Sequence, residues 1–190
     1  FDLDIKSLVR DAANLHEKNF KTDDVFDYLL DRLETWYRDQ NINASLFKAI
    51  RHSKKGIISL AQNHSDLVAL QEFTSLPAAE SLVAANKRVA NILKKIDADE
   101  LPAVNRSLFE EPIEGLLFTE VETIEAKILA TPEFANRLIL LGELQENIDQ
   151  YFEQVLVNCE DTDTRNNRLA TLLSLRQLFL GIADFSLLQL

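Results

Sequence analysis

The chain has 190 residues, 46% of them hydrophobic, with 31 acidic and 20 basic side chains and a formal net charge of -11. That length and composition allow a buried core of the ordinary globular kind, and no apolar run or opening segment has the pattern of a membrane span or a signal peptide. A single cysteine, Cys159, excludes an intrachain disulfide framework and suits a reducing cytosol, and the three scattered histidines, His16, His52 and His64, do not make a zinc ligand set.

With four glycines, four prolines and no alternating strand pattern, the chain reads as an all-α bundle of roughly seven to eight helices. Residues Leu3–Phe20 are modestly amphipathic. The stretch TDDVFDYLLDRLETWYRDQ begins with Thr22 as N-cap candidate and acids in its first turn. Its apolar residues Val25, Phe26, Leu29, Leu30, Leu33, Trp36 and Tyr37 recur at helical spacing. A helix over Asn43–His52 should end at KKG, and another should lie within Ile57–Thr74. Pro77 suits the first turn of a helix that should run to about Asp97. After a loop, DADELPAVN, a helix is expected over Glu111–Ala130. Pro132 opens the next, with a break or kink at Gly142. Beyond it Leu141, Leu144, Ile148, Tyr151, Phe152 and Val155 form an apolar stripe. CEDTDT is a loop with Asp161 or Thr162 as cap. The last helix should span Asp163–Gly181, with Leu169, Leu172, Leu173, Leu175 and Phe179 inside and ADFSLLQL packing back on the bundle. Residues 1–74 read as leading helices, and 75–190 as the principal bundle. The absence of methionine means that Phe1 is not a native start, so the chain reads as a piece of something longer.

Charge is unevenly placed. Ser107–Asp161 holds 13 acids and only two bases, Lys127 and Arg137, and so carries the whole negative excess; the remainder balances at 18 of each sign. Basic islands can therefore exist in an acidic protein. In LPAAESLVAANKRVANILKK, residues Leu82, Ala85, Val89 and Ile92 form one helical stripe. Lys87, Arg88, Asn91, Lys94 and Lys95 share another face with Ala84. Cations joined to side-chain amides suit phosphates and exposed base edges. A second island holds Lys48, Arg51, Lys54 and Lys55. A third holds Arg165 and Arg168 with Asn166 and Asn167, and Arg176 falls on the same face. Each island also reads as a plain solvated surface.

Catalytic signatures are missing. There is no glycine-rich phosphate loop and no nucleophile elbow. Glu143, Glu146 and Asp149 share helix faces, but a carboxylate metal bundle wants Glu-x-x-His pairs, and no histidine lies in that segment. A solvated acidic face is the simpler reading.

LPAAESLVAANKRVANILKK resembles the start of the anticodon-binding C-terminal region in the beta subunit of bacterial glycyl-tRNA synthetases. NRLATLLSLRQLFLGIADFSLLQL resembles the ending of that subunit. DYLLDRLETWYRDQNI and YFEQVLVNCED resemble family stretches in the same order. A more distant similarity, through Ala85, Arg88, Val89, Ile92, Leu93 and Lys94, is to the helical anticodon domain of arginyl-tRNA synthetases. The resemblance implies a cytoplasmic enzyme of two alpha and two beta chains. Its alpha subunit forms glycyl-adenylate from glycine and ATP with magnesium, and its beta subunit binds glycine tRNA. No cofactor is expected in the segment represented here. The resemblance marks Asn86, Lys87, Arg88 and Asn91 as motif positions; Asn86 also reads as a residue that ties its helix to a neighbour. Trp36 or Tyr37 could stack on a splayed base, though core packing is the plainer role for both. The acidic segment Glu110–Asp161 would face away from tRNA or repel wrong approaches. The alternative is a helical protein-interaction or scaffold module without RNA contact.

Overall fold

In the computed structural model, residues 4–15, 21–57 and 59–190 are described. The three- and four-residue apolar spacing winds them into nine α-helices: α1 Ile5–Asn14, α2 Thr22–Asp39, α3 Ala44–Arg51, α4 Leu60–Thr74, α5 Pro77–Leu93, α6 Pro112–Ala130, α7 Phe134–Gly142, α8 Gln145–Gln154 and α9 Thr162–Leu180. The break expected at Gly142 falls at Glu143 and Leu144, where the chain turns and α7 gives way to α8. Among the described residues there is no strand, only an isolated bridge between Asp4 and Ser59. Leu3 and 16–20 of the first expected helix, and Ile58 of the fourth, lie outside the described residues.

Local chemistry sets many of the boundaries. Asn43 caps α3 through Ser45 N–H at 2.9 Å, and Asp161 caps α9 through Thr164 N–H at 2.7 Å. Thr22 is the first residue of α2 and not its cap; Lys21 occupies that place, without a capping side chain. Pro77 and Pro112 sit in first turns, where a missing N–H leaves no partner short. Gly56 takes φ 63°, a left-handed conformation suited to glycine, and turns the chain after the lysine pair. Helix α5 ends at Leu93, earlier than its hydrophobic pattern suggests. Ile96 N–H then bonds Leu93 O at 3.0 Å, closing a turn in place of another helical step.

Helix α5 packs against α8, α9 and the short 3-10 turn Phe185–Leu187. It buries Ala79, Leu82, Val83, Ala85, Asn86 and Val89. Full burial of one leucine such as Leu82 contributes about 1.5–3 kcal/mol. One continuous apolar core runs from Leu30 to Leu188. Residues of α3 and α4 belong to it, because α3 packs on the closing turn and α4 on α7. Backbone bonds seal that junction: Lys54 N–H to Leu180 O at 2.7 Å, and Asp184 N–H to Ala49 O at 2.8 Å. No helix among the described residues is long and apolar enough to cross a membrane.

Candidate nucleic-acid interface

On α5, Lys87, Arg88 and Asn91 fall within a sector of about 100°, and Lys94, the C-cap, and Lys95 follow in the turn just past the helix end. All five are exposed, opposite the side that carries Leu82 and Val89 into the core. None of the four cations takes part in an ion pair among the described residues. Glu80, two turns earlier, is the single acid on that sector of α5. Lys94 and Lys95 also stand at the negative end of the helix dipole, which favours cations whatever the ligand. Asp97, Asp99 and Glu100 follow on the next exposed turn and bound the basic face at that end.

Arg88 has an additional partner. Its guanidinium carbon lies 4.1 Å from the centroid of the Phe152 ring on α8. Ser81 Oγ donates to Asp149 Oδ1 at 2.6 Å and fixes α8 beside α5. The acidic segment is therefore set apart in sequence but not in space. Helix α8 belongs to it and packs directly against the basic helix. Several of its acids have partners within the fold: Glu110 and Glu114 hold Arg168, Glu122 holds Arg106, Glu143 holds Lys127, and Glu120 accepts from Asn147.

Asn86 lies inside, only 2% exposed. Its amide donates to Leu82 O at 3.2 Å in its own helix, while its Oδ1 has no partner among the described residues. It neither faces an external ligand nor forms the expected hydrogen-bonded tie to a neighbouring helix.

The structure reassigns much of the other two islands. Arg51 on α3 bonds Asp31 at 2.7 Å and Asp27 at 3.0 Å, tying α3 to α2. Lys54 and Lys55 are exposed. Arg165 is half-buried and donates to Cys159 O at 3.2 Å and Thr162 Oγ1 at 3.3 Å, within its own loop and helix start. Arg168 is 4% exposed, its guanidinium held by Glu114 at 2.8 Å, Glu110 at 2.7 Å and Leu156 O at 3.1 Å. An external anion would have to displace that buried network. Asn167 is buried too, exchanging hydrogen bonds with the Asn105 backbone at 2.7 and 3.1 Å. Arg176 bonds Asp184 at 2.7 Å. The third island is thus a set of structural ties and not an open face.

Glu114 anchors this network. Burial pushes its carboxyl up, but Arg168 and the N–H groups of Glu111 and Glu110, each at 2.8 Å, outweigh burial and hold it below the ordinary glutamate range. The two aromatic candidates separate. Tyr37 is buried against Phe47 and His64, as core packing predicts, whereas Trp36 stands 51% exposed on α2. Sequence reasoning overlooked the Phe152 support beneath Arg88, since 64 residues separate the two and no local pattern joins them. The inward turn of Arg168 did have a signal. Residues 168, 172, 175 and 179 follow one helical stripe, so Arg168 shares the apolar face of Leu172, Leu175 and Phe179.

No protein-family model matches the chain. Among curated proteins it is 36% identical over 194 residues to the glycine–tRNA ligase beta subunit of Shewanella sp. (strain MR-4). It is 38% identical over 195 residues to that of Shewanella denitrificans, and 37% identical over 194 residues to that of Actinobacillus pleuropneumoniae serotype 3. Each match takes in 98% of this chain, and the chain spans 28% of the length of each relative.

Proposed function

We propose, from the premise that this chain is homologous over nearly its whole length to one segment of the glycine–tRNA ligase beta subunit, that it is the part of such an enzyme that engages the anticodon of glycine tRNA. The observation that carries this reading is the exposed face of α5 and the turn that follows it. Lys87, Arg88, Lys94 and Lys95 stand there without carboxylate partners among the described residues, with Asn91 among them. Lysines and arginine neutralise backbone phosphates, while the Asn91 amide both donates and accepts at a base edge. An anticodon loop supplies both, because its bases are unstacked at the tip. Attachment of glycine with ATP and magnesium belongs, in this reading, to an alpha subunit that completes the enzyme. Among the described residues no three histidine, cysteine or carboxylate side chains gather as a metal site.

The test is binding of the full chain to glycine tRNA and to anticodon-swapped transcripts at two salt concentrations. Glycine tRNA should bind tightest. The triple substitution Lys87→Ala, Lys94→Ala, Lys95→Ala should reduce the slope of log K against log salt by about 2, at about 0.7 per phosphate contact on single strands. Equal affinity for all transcripts defeats anticodon recognition, and an unchanged slope removes α5 as the RNA face.

One observation favours a second reading, a protein-docking module. On α2, Tyr28, Leu29 and Trp36 are exposed, and Leu29 and Trp36 follow Val25 and Arg32 along a single seam. Trp36 is the chain's one tryptophan, so its emission reports that surface. A blue shift on adding purified alpha subunit, with no tRNA binding, selects docking.

A further inference from the structure

We infer that Arg88 and Phe152 form a stacking subsite for one unpaired RNA base, with Phe152 as the support and the outer face of the Arg88 guanidinium as the contact. This rests on the tRNA reading above and specifies one part of it. Arg88 is exposed, and its guanidinium carbon lies over the Phe152 ring, 4.1 Å from the centroid. A guanidinium laid parallel to that ring would present its opposite face to a second flat group. Phe152 is itself firmly placed: it is half-buried, next to the fully buried Tyr151, on a helix tied to α5 by the Ser81–Asp149 bond.

Other arginines provide the contrast. Arg106 also lies over an aromatic ring, that of Phe118 at 5.2 Å, but Glu122 neutralises it at 2.6 Å. Arg51, Arg168 and Arg176 are likewise paired with carboxylates. Arg32, over the Tyr28 ring at 5.0 Å, shares with Arg88 a charge that no carboxylate satisfies among the described residues, but Arg88 lies closer to its ring, at 4.1 Å, and has Lys87 and Asn91 beside it on its helix. Its neighbours complete a nucleotide-sized set: Asn91 lies about one turn further along for a base edge, and Lys87, Lys94 and Lys95 stand ready for phosphates. A base on Arg88 would form a three-layer stack of ring, guanidinium and base. Little side-chain freedom would be lost on binding, since Phe152 already orders the middle layer.

The probe is the anticodon stem-loop of glycine tRNA, carrying at each anticodon position in turn a fluorescent purine whose emission stacking quenches. With the unaltered chain, one position should quench more than the others. Arg88→Lys keeps the charge and removes the plane. It should abolish that quench and weaken binding about tenfold, while the salt slope stays. Phe152→Leu keeps apolar bulk and should reduce the quench partially, in a protein whose unfolding midpoint is checked separately. Lys94→Ala should do the reverse, lowering the slope and sparing the quench. If Arg88→Lys quenches and binds as the unaltered chain does, the stacking subsite is overturned. If hairpins bind with the expected salt slope but none is quenched, stacking falls and the tRNA reading stands. If no hairpin binds, the tRNA reading itself falls, and the subsite with it.

Discussion

Glu114→Gln takes one charge from the side chain that holds Arg168 inside the bundle. In the native protein the Glu114 carboxylate accepts from Arg168 Nε at 2.8 Å and Nη2 at 3.4 Å, and from two backbone N–H groups at 2.8 Å. A glutamine offers one oxygen and one NH₂, so either the arginine or the backbone meets a donor in place of an acceptor. Arg168 would retain Glu110 at 2.7 Å, but the Glu110 side chain is 61% exposed and its attraction is screened by water. Breaking one side of a buried ion pair costs about 3–5 kcal/mol, and the remaining partner points to the lower end. For a chain of this size, about 3 kcal/mol corresponds to a drop of about 10 °C in unfolding midpoint. The folded-state pKa of Glu114 is depressed. Its contribution is therefore complete above the unfolded glutamate value of about 4.3 and is lost as pH falls through the depressed value. Thermal unfolding followed by circular dichroism, from neutral pH downward, should show a gap between the two proteins that closes on acidification. A neutral-pH midpoint within about 2 °C of the unaltered protein, or a gap indifferent to acid, would refute the assignment of this pair as a buried tie. At a temperature where the variant stays folded, its salt slope with tRNA should match the parent.

Burial, reinforced by the Glu114 charge, holds the Tyr151 phenol far above its ordinary range, and its hydroxyl has no partner among the described residues. A raised phenol pKa stabilises the fold below the unfolded value of about 10, and that stabilisation disappears as pH climbs higher. Tyr151→Phe should therefore flatten the alkaline loss of stability and raise or preserve the midpoint at neutral pH; destabilisation beyond about 1 kcal/mol contradicts this. Asn86→Leu should leave the tRNA salt slope unchanged and cost less than about 1.5 kcal/mol, because it exchanges a buried amide whose oxygen has no partner among the described residues for apolar volume. A tenfold loss of tRNA affinity in a fully folded Asn86→Leu protein would restore Asn86 as a ligand contact.

Helix positions were legible because their signals are local. Pro77, Asn43 and Asp161 mark starts through the geometry of a first turn, and Leu82, Ala85 and Val89 declare the buried side of α5 by spacing alone. The exposed basic sector followed from the same spacing. What could not be read is which charges meet across the fold. Arg51 and Asp31 are 20 residues apart and Arg168 and Glu114 are 54 apart, so a basic run in sequence does not distinguish a free cation from a paired one. The placement of α8 beside α5 was hidden likewise, since segregation of charge along a chain says nothing of where helices pack. Trp36 and Tyr37, adjacent in sequence, part because successive helical residues point about 100° from each other.

Residues 181–190 return to α3, with Gln189 N–H on Ser45 Oγ across 144 positions of sequence. Such closure is expensive in chain entropy and slow, since little local structure prepays it. It also gives folding a direction in time. During synthesis α3 and α4 leave the ribosome long before Phe185 exists to pack on Phe73 and Asp184 to bond Ala49 O, so that junction seals only after α9 has been made. A nascent chain released before that point exposes an apolar floor. The vulnerable period runs from the synthesis of α4 to that of Phe185 and Leu188, when chaperone occupancy should be highest.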